Sequence, residues 1–461
     1  MKSTPRPLAS LCLAATLLLP AFSSRAGQNV AELPARPAPA WLRDGVIYQI
    51  FPRAFSASGN FKGITARLDE LKNLGVDVLW LMPIHPIGEK LRKGTYGSPY
   101  AIKDYYGINP DYGTADDLKK LVAEAHKRNL KVILDLVANH TAWDNVMMDH
   151  PEFYKQDASG KVIPPVAEWT DVAGLNYNNP KLREYMIAML KHWITEFDID
   201  GYRADVASMV PVDFWEQARV EMEKVKPDIM MLAEASKPDL MVKAFDLDYS
   251  WPLHGALNDV LLRGKPATEL RRSWEDSLKQ YPKGTLHMRI SDDHDEARAT
   301  ARFSVRGALA AEVLMLTLDG VPLIYNGMEA GDATESGDPA LFEKLPILWN
   351  FTKEHPPLRD IYRDLIKYRK AHAAFRTGEV VWLNNSDEKN VVTFLRRDAD
   401  EEILVVINLS NRPGEVRVNV VDPGRFTPAK LAGMNGDIIK DPNPIALGGF
   451  DWRIYHREVA K

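Results

Sequence analysis

A single cysteine, Cys12, is all the thiol chemistry this 461-residue sequence carries. It lies inside a segment that reads as a removable leader, so disulfide bracing and thiol catalysis are excluded from the rest. Leu11 precedes it where a lipoprotein signal needs a small residue, which argues against a lipid anchor. Runs of lysine or arginine are also missing. With 58 basic and 63 acidic residues the formal charge is −5, and the basic footprint of a nucleic-acid binder is absent. Beyond the leader no apolar stretch is long enough to span a bilayer. Nothing repeats at a solenoid period. No glycine-rich phosphate loop follows the first apolar run, which disfavours an open dinucleotide-binding sheet.

What is present begins with "MKSTPRPLASLCLAATLLLPAFSSRAG". Lys2 and Arg6 form a basic start, the run from Leu8 to Phe22 is apolar but broken by Pro20, and Ser24-Arg25-Ala26 is a small-x-small cleavage site. Residues 1–26 are therefore expected to be a signal peptide, and the protein to be exported to the periplasm or the medium. Residues 27–40, rich in proline and alanine, are expected to be a poorly ordered leader. From Val46 eight short apolar runs alternate with amphipathic stretches: 46–51, 76–83, 131–137, 198–206, 228–235, 244–249, 286–291 and 321–327. That alternation predicts an α/β fold, a parallel (β/α)8 TIM barrel over 41–375. Two long segments interrupt it, one after the second run and one of about 141–179 after the third, and long loops in compact domains are usually functional. From about 376 to 461 short alternating runs separated by turn residues predict a C-terminal all-β sandwich domain.

Polar residues close several runs. The third ends "DLVANH" with Asp135, Asn139 and His140, the fourth "GYRAD" with Arg203 and Asp205, the fifth "AE" with Glu234, and the seventh runs into "SDDHDEAR". Any one of them would serve as a helix cap. Four such ends meeting at one barrel mouth point to an active site. Carboxylates gathered among tyrosines and tryptophans suit glycoside hydrolysis, in which one acid attacks and another protonates the leaving oxygen. Arg203 and Asp205, two apart on a strand, share a face, so the guanidinium would hold Asp205 ionised. Glu234 in "MMLAEAS" is expected to sit in an apolar setting that raises its pKa and suits it to acid/base work. A second reading makes Asp292, Asp293 and His294 a metal cluster, which would need further ligands at fixed spacing.

"DLVANH", "GYRADVA", "LAEA" and "SDDHDE", in this order, resemble the four signature regions of the α-amylase superfamily, glycoside hydrolase family thirteen, and the resemblance runs over nearly the whole chain after the leader. It implies retaining hydrolysis of α-glucosidic, mainly α-1,4, bonds in starch, maltodextrins or related oligosaccharides. By position it makes Asp205 the nucleophile, Glu234 the acid/base and Asp295 the third carboxylate. It makes Tyr100, His140, Arg203 and His294 substrate-binding residues and Asp104 a structural acid. Asn139 resembles a ligand of a structural calcium, for which Asp149, Asp157 or Asp171 would have to supply further oxygens. The chemistry itself is expected to need no cofactor. α-Glucan transglycosylase and cyclomaltodextrinase or neopullulanase-like action are alternatives on the same fold. A non-catalytic glucan-binding protein is disfavoured by the intact set of three acids.

Four departures mark this chain. Ser208 and Met209 stand where endo-acting relatives often carry Lys-His, and "VAGLNYNN" (172–179) replaces a Pro-Asp-Leu motif. Both bear on leaving-side subsites and speak against polymer-type endo action, and the shortness of the inserted segment favours an open cleft or oligosaccharide substrates. The acid-rich calcium loop after the first strand in many relatives is replaced by "SASGNFKG" (56–63), so that site is expected to be absent. Asp293 stands where the family usually has asparagine; it is expected either to be neutralised by Arg298 or Arg302 or to disturb the local pKa values.

Overall fold

The protein was analysed as a computed structural model, which describes residues 29–334, 337, 340–350, 358–434 and 444–459. The expected signal segment lies outside these residues. The eight apolar runs form β1 (Ile47–Ile50), β2 (Val78–Leu81), β3 (Lys131–Leu136), β6 (Gly201–Ala204), β7 (Met230–Ala233), β8 (Leu247–Tyr249), β9 (Leu286–Arg289) and β10 (Val321–Tyr325). Between β3 and β6 the inserted segment contributes β4 (His140–Ala142) and β5 (Val172–Gly174), an antiparallel pair. The eight are parallel, and each pairs with its neighbours in sequence until β10 closes on β1.

The two-residue period of a strand decides what fills the barrel. One face of each strand points inward: Ile47, Val78, Ile133, Met230, Leu247, Met288 and Val321 belong to the apolar cluster of the interior. Two residues further on, the same face carries Gln49, Trp80, Asp135, Arg203, Leu232, Tyr249, Ile290 and Leu323. Four residues on come Asp205 and Glu234. The interior thus turns from apolar to ionisable along the strand direction, and the change falls at the C-terminal mouth. At Gly201 a Cβ would meet the Met230 carbonyl at 2.4 Å, so glycine lets β6 and β7 approach closely below the site.

The leader is ordered where it is described, contrary to expectation. Ala35 and Arg36 donate backbone N–H groups to Lys283 and Met241 at 2.9 Å. The Arg36 guanidinium pairs with Glu223 and, at 3.2 Å, with the buried Asp246. Leu42 is wholly buried in the interior cluster, with Trp41 and Ala38 packed against it. Of the leader itself it is Ala38 that packs on this cluster; Trp41 and Leu42 already belong to the barrel region.

The C-terminal region holds β11 (Glu379–Trp382), β12 (Val391–Arg397), β13 (Glu401–Asn408), β14 (Gly414–Val416), β15 (Thr427–Pro428), β16 (Ile445–Leu447) and β17 (Trp452–Glu458). These make a five-stranded antiparallel sheet and a two-stranded one. Alternation divides the larger sheet between two cores. Val391, Leu395, Leu404 and Val406 meet Val416, Ile445 and Leu447 of the smaller sheet. Val392, Phe394, Ile403, Val405 and Ile407 join the core that surrounds the barrel. Arg396, fully buried on that second face, donates to the carbonyls of Thr317 at 3.1 Å and Gly378 at 2.8 Å.

Candidate active site

Asp205 and Glu234 stand just past their strands but stay in the ladder: their N–H groups donate to Leu136 and Ala204 carbonyls at 2.9 and 3.0 Å. Arg203, one pleat below, organises the mouth. Its Nη1 lies 2.8 Å from Asp135 Oδ1 and 3.1 Å from Asp205 Oδ1. Nη2 lies 2.8 Å from Glu234 Oε2, off the N–H direction, so this contact is an ion pair rather than a hydrogen bond. Nε donates to Tyr249 Oη at 3.2 Å. Trp80, Tyr100 and Tyr249 pack their rings 5.2 to 5.7 Å from the guanidinium carbon. One guanidinium thus reaches both the Asp205 and the Glu234 carboxylates.

Glu234 is not in the apolar setting expected from its neighbours in sequence. Besides Arg203, its Oε2 accepts the Val206 N–H at 2.7 Å. Val206 is left-handed, with φ 37°, a strained conformation for a β-branched residue that costs about 1–3 kcal/mol. That strain falls between the two acids and aims the N–H at Glu234. Burial, and after it the charge of Glu234, push the Asp205 carboxyl well above the usual range, while Arg203 pulls it down. Burial likewise raises Asp135 to about 6 against the pull of Arg203. One cation thus serves three buried or half-buried acids, with Asp295, 40 % exposed, at the rim.

The two histidines are neutral. Burial holds both His140 and His294 down at about 3. Gln49 Nε2 lies 2.7 Å from His294 Nδ1, which makes that nitrogen the acceptor. Nε2 then carries the proton, 2.7 Å from Tyr100 Oη and 3.3 Å from Asp295 Oδ2. Tyr100 passes the polarity on to Asp135 Oδ2 at 3.1 Å, which Trp80 Nε1 also reaches at 3.0 Å. Asn139 Nδ2 lies 3.3 Å from His140 Nδ1, so His140 Nε2–H faces Asp205 Oδ2 at 3.9 Å. That distance is too long for a direct bond.

The structure therefore brings together Tyr100, His140, Arg203, Asp205, Glu234, His294 and Asp295. Asp104 does not join them; its carboxylate accepts the Tyr106 N–H at 2.9 Å and fixes its own turn. The three acids suggested as calcium partners of Asn139 do not gather round it. Asp149 is exposed, Asp157 holds the turn at Ser159, and Asp171 pairs with Lys93 at 3.0 Å. This donor set does not fit a calcium ion. The metal reading of Asp292, Asp293 and His294 fails likewise, since both nitrogens of His294 are engaged and Asp292 faces Arg298 at 3.6 Å. Asp293 is not neutralised as expected. Its Oδ1 accepts the N–H groups of Asp295 and Glu296, its Oδ2 is buried without a partner, and Arg298 and Arg302 turn elsewhere.

Sequence reasoning missed Gln49, Trp80 and Tyr249, which buttress the catalytic shell. The inward parity of Ile47 would have placed Gln49 in the interior. Sequence reasoning marked the segments after the second and third runs as functional loops, without saying which of their side chains wall the cleft. Lys93, Trp169, Leu341 and Phe342 enclose, with the acids, a cavity of about 310 Å³, at the small end of ligand pockets.

A family profile described as the alpha amylase catalytic domain matches residues 49–159 and 167–408. Alpha-amylase 2 of Dictyoglomus thermophilum is 29% identical over 411 residues, covering 81% of this chain and 71% of its own. A cyclomaltodextrinase of Geobacillus thermopakistaniensis is 28% identical, covering 86% and 74%. Among solved structures, a noncanonic maltogenic alpha-amylase from Thermotoga neapolitana superposes with a TM-score of 0.82 at 32% identity, over 91% of this chain and all of that one.

Proposed function

We propose, for a chain that belongs to the alpha-amylase family and is thereby a glycosidase of α-glucans, a retaining hydrolysis of α-1,4 bonds with Asp205 as nucleophile and Glu234 as acid/base. The observation that carries these roles is the single guanidinium of Arg203 bound to both carboxylates at the barrel mouth. Asp205 attacks the anomeric carbon as Glu234 gives its proton to the departing oxygen, and the glycosidic bond breaks. Water then loses a proton to Glu234 while its oxygen displaces Asp205 from the sugar. Asp295 and the neutral His140 present hydrogen-bonding atoms to the sugar hydroxyls, and neither His140 nor His294 adds positive charge against that of the transition state.

Short substrates, maltodextrins and related oligosaccharides, are the preferred class in this reading. Its supports are the small cavity and the exposed Ser208 with its neighbour Met209 in place of the leaving-side Lys-His pair. Asp205→Asn should cut turnover at least about 10³-fold with thermal unfolding unchanged. Turnover within tenfold of the parent would overturn the assignment. Time-resolved products from starch, cyclodextrin and maltotriose test the substrate class, and faster attack on starch than on maltotriose would reject it. Export is proposed from the leader pattern alone. Mass spectrometry of the secreted protein should find Gly27 as the first residue.

A further inference from the structure

We propose that His372, Glu401 and His456 form a zinc site that ties the last barrel helix to the C-terminal sheet. The three residues come from three places. His372 follows the helix Leu358–Ala371, Glu401 opens β13, and His456 lies on β17, opposite Ile403. Their ligand atoms, two imidazole nitrogens and one carboxylate oxygen, lie within 4.8 Å of one another. Among the described residues this is the group of three acidic, histidine or cysteine side chains so arranged. It shares no residue with the catalytic mouth.

The donor set is that of zinc. Two neutral imidazoles and a carboxylate leaving a fourth position for water form a recurrent zinc shell. Bonds of about 2.0–2.1 Å in a tetrahedron set ligand atoms about 3.3 Å apart. His372 Nδ1 and His456 Nε2 stand 2.5 and 3.1 Å from Glu401 Oε2, so small side-chain rotations would open the gap. The rings already lie close, with centroids 5.1 Å apart and planes tilted by 52°.

The surroundings fix the ligands and leave water access. Glu401 Oε1 accepts the Ala374 N–H at 3.1 Å, which orients the carboxylate and keeps Oε2 for the ion. The Tyr368 ring lies 4.2 Å from His372. Among the described residues its buried phenol oxygen has no partner, which leaves a donor for a metal-bound water. The side chains of His372 and His456 remain 21% and 25% exposed, open enough for an ion to enter.

Competition against a chromophoric zinc chelator at pH 7.5, on the full-length protein, should show one equivalent of Zn²⁺. Saturating Zn²⁺ should raise the melting temperature by roughly 2–4 °C. His456→Gln and Glu401→Gln should each weaken binding at least tenfold, and an excess of Mg²⁺ should not compete. Extended X-ray absorption at the zinc edge of the unmutated protein should report a nitrogen/oxygen shell with two imidazoles. No bound zinc, affinity unchanged from the parent in both variants, or a shell without imidazole would each overturn the proposal and leave a hydrogen-bonded clasp of two histidines on one carboxylate.

Discussion

At Asp293 a carboxyl is held in a pocket that offers it two backbone N–H groups and, among the described residues, no paired cation. Burial, with Asp295 and Asp292 nearby, pushes it well above the usual carboxylate range. An acid raised in the folded state contributes stability that is complete below its unfolded pKa, about 3.9, and is lost as pH rises toward the folded value. Asp293→Asn removes that loss while keeping the shape. Its melting temperature should match the parent near pH 4 and exceed it increasingly toward pH 8, and a constant difference across that range would show Asp293 to be ionised throughout. At this scale the meeting of three acids at the mouth was legible, because Asp205, Glu234 and Asp295 end or follow strands whose parity a sequence displays. The partners of Asp293 were not, because Arg298 and Arg302 turn away to the carbonyl of Asn326 and the side chain of Asn258, contacts set by packing across the mouth.

Among the elements, the eight barrel strands coincide with the eight apolar runs, since strands buried on both faces leave continuous apolar stretches that need no partner to be recognised. The leader was misjudged for the opposite reason. Proline and alanine give it no periodicity, and its order comes from surfaces supplied by residues far along the chain, Asp246 and Lys283 among them. Leu42→Ala would leave a cavity at the barrel floor, where the side chain has no solvent exposure, and should cost about 3 kcal/mol. Denaturant unfolding measures that loss. KM and kcat at 25 °C should stay as they were, because the floor and the mouth lie at opposite ends of the strands.

Taken whole, the molecule has a C-terminal sheet with no free face. One side meets the small sheet and the other completes the core around the barrel, with Arg396 bonded to carbonyls outside its own sheet, at Thr317 and Gly378. Parts that share a core unfold together, so calorimetry should show one transition, and two resolved peaks would contradict the shared packing. The same whole-molecule view gives the catalytic mouth a pharmacological meaning. Asp135, Asp205 and Glu234 share a single arginine, Asp295 stands at the rim, and neither histidine carries charge near neutrality. For an inhibitor this is a trap for cations. A sugar mimic with a protonated nitrogen near the anomeric position gains an attraction that a neutral glucoside of the same shape never receives.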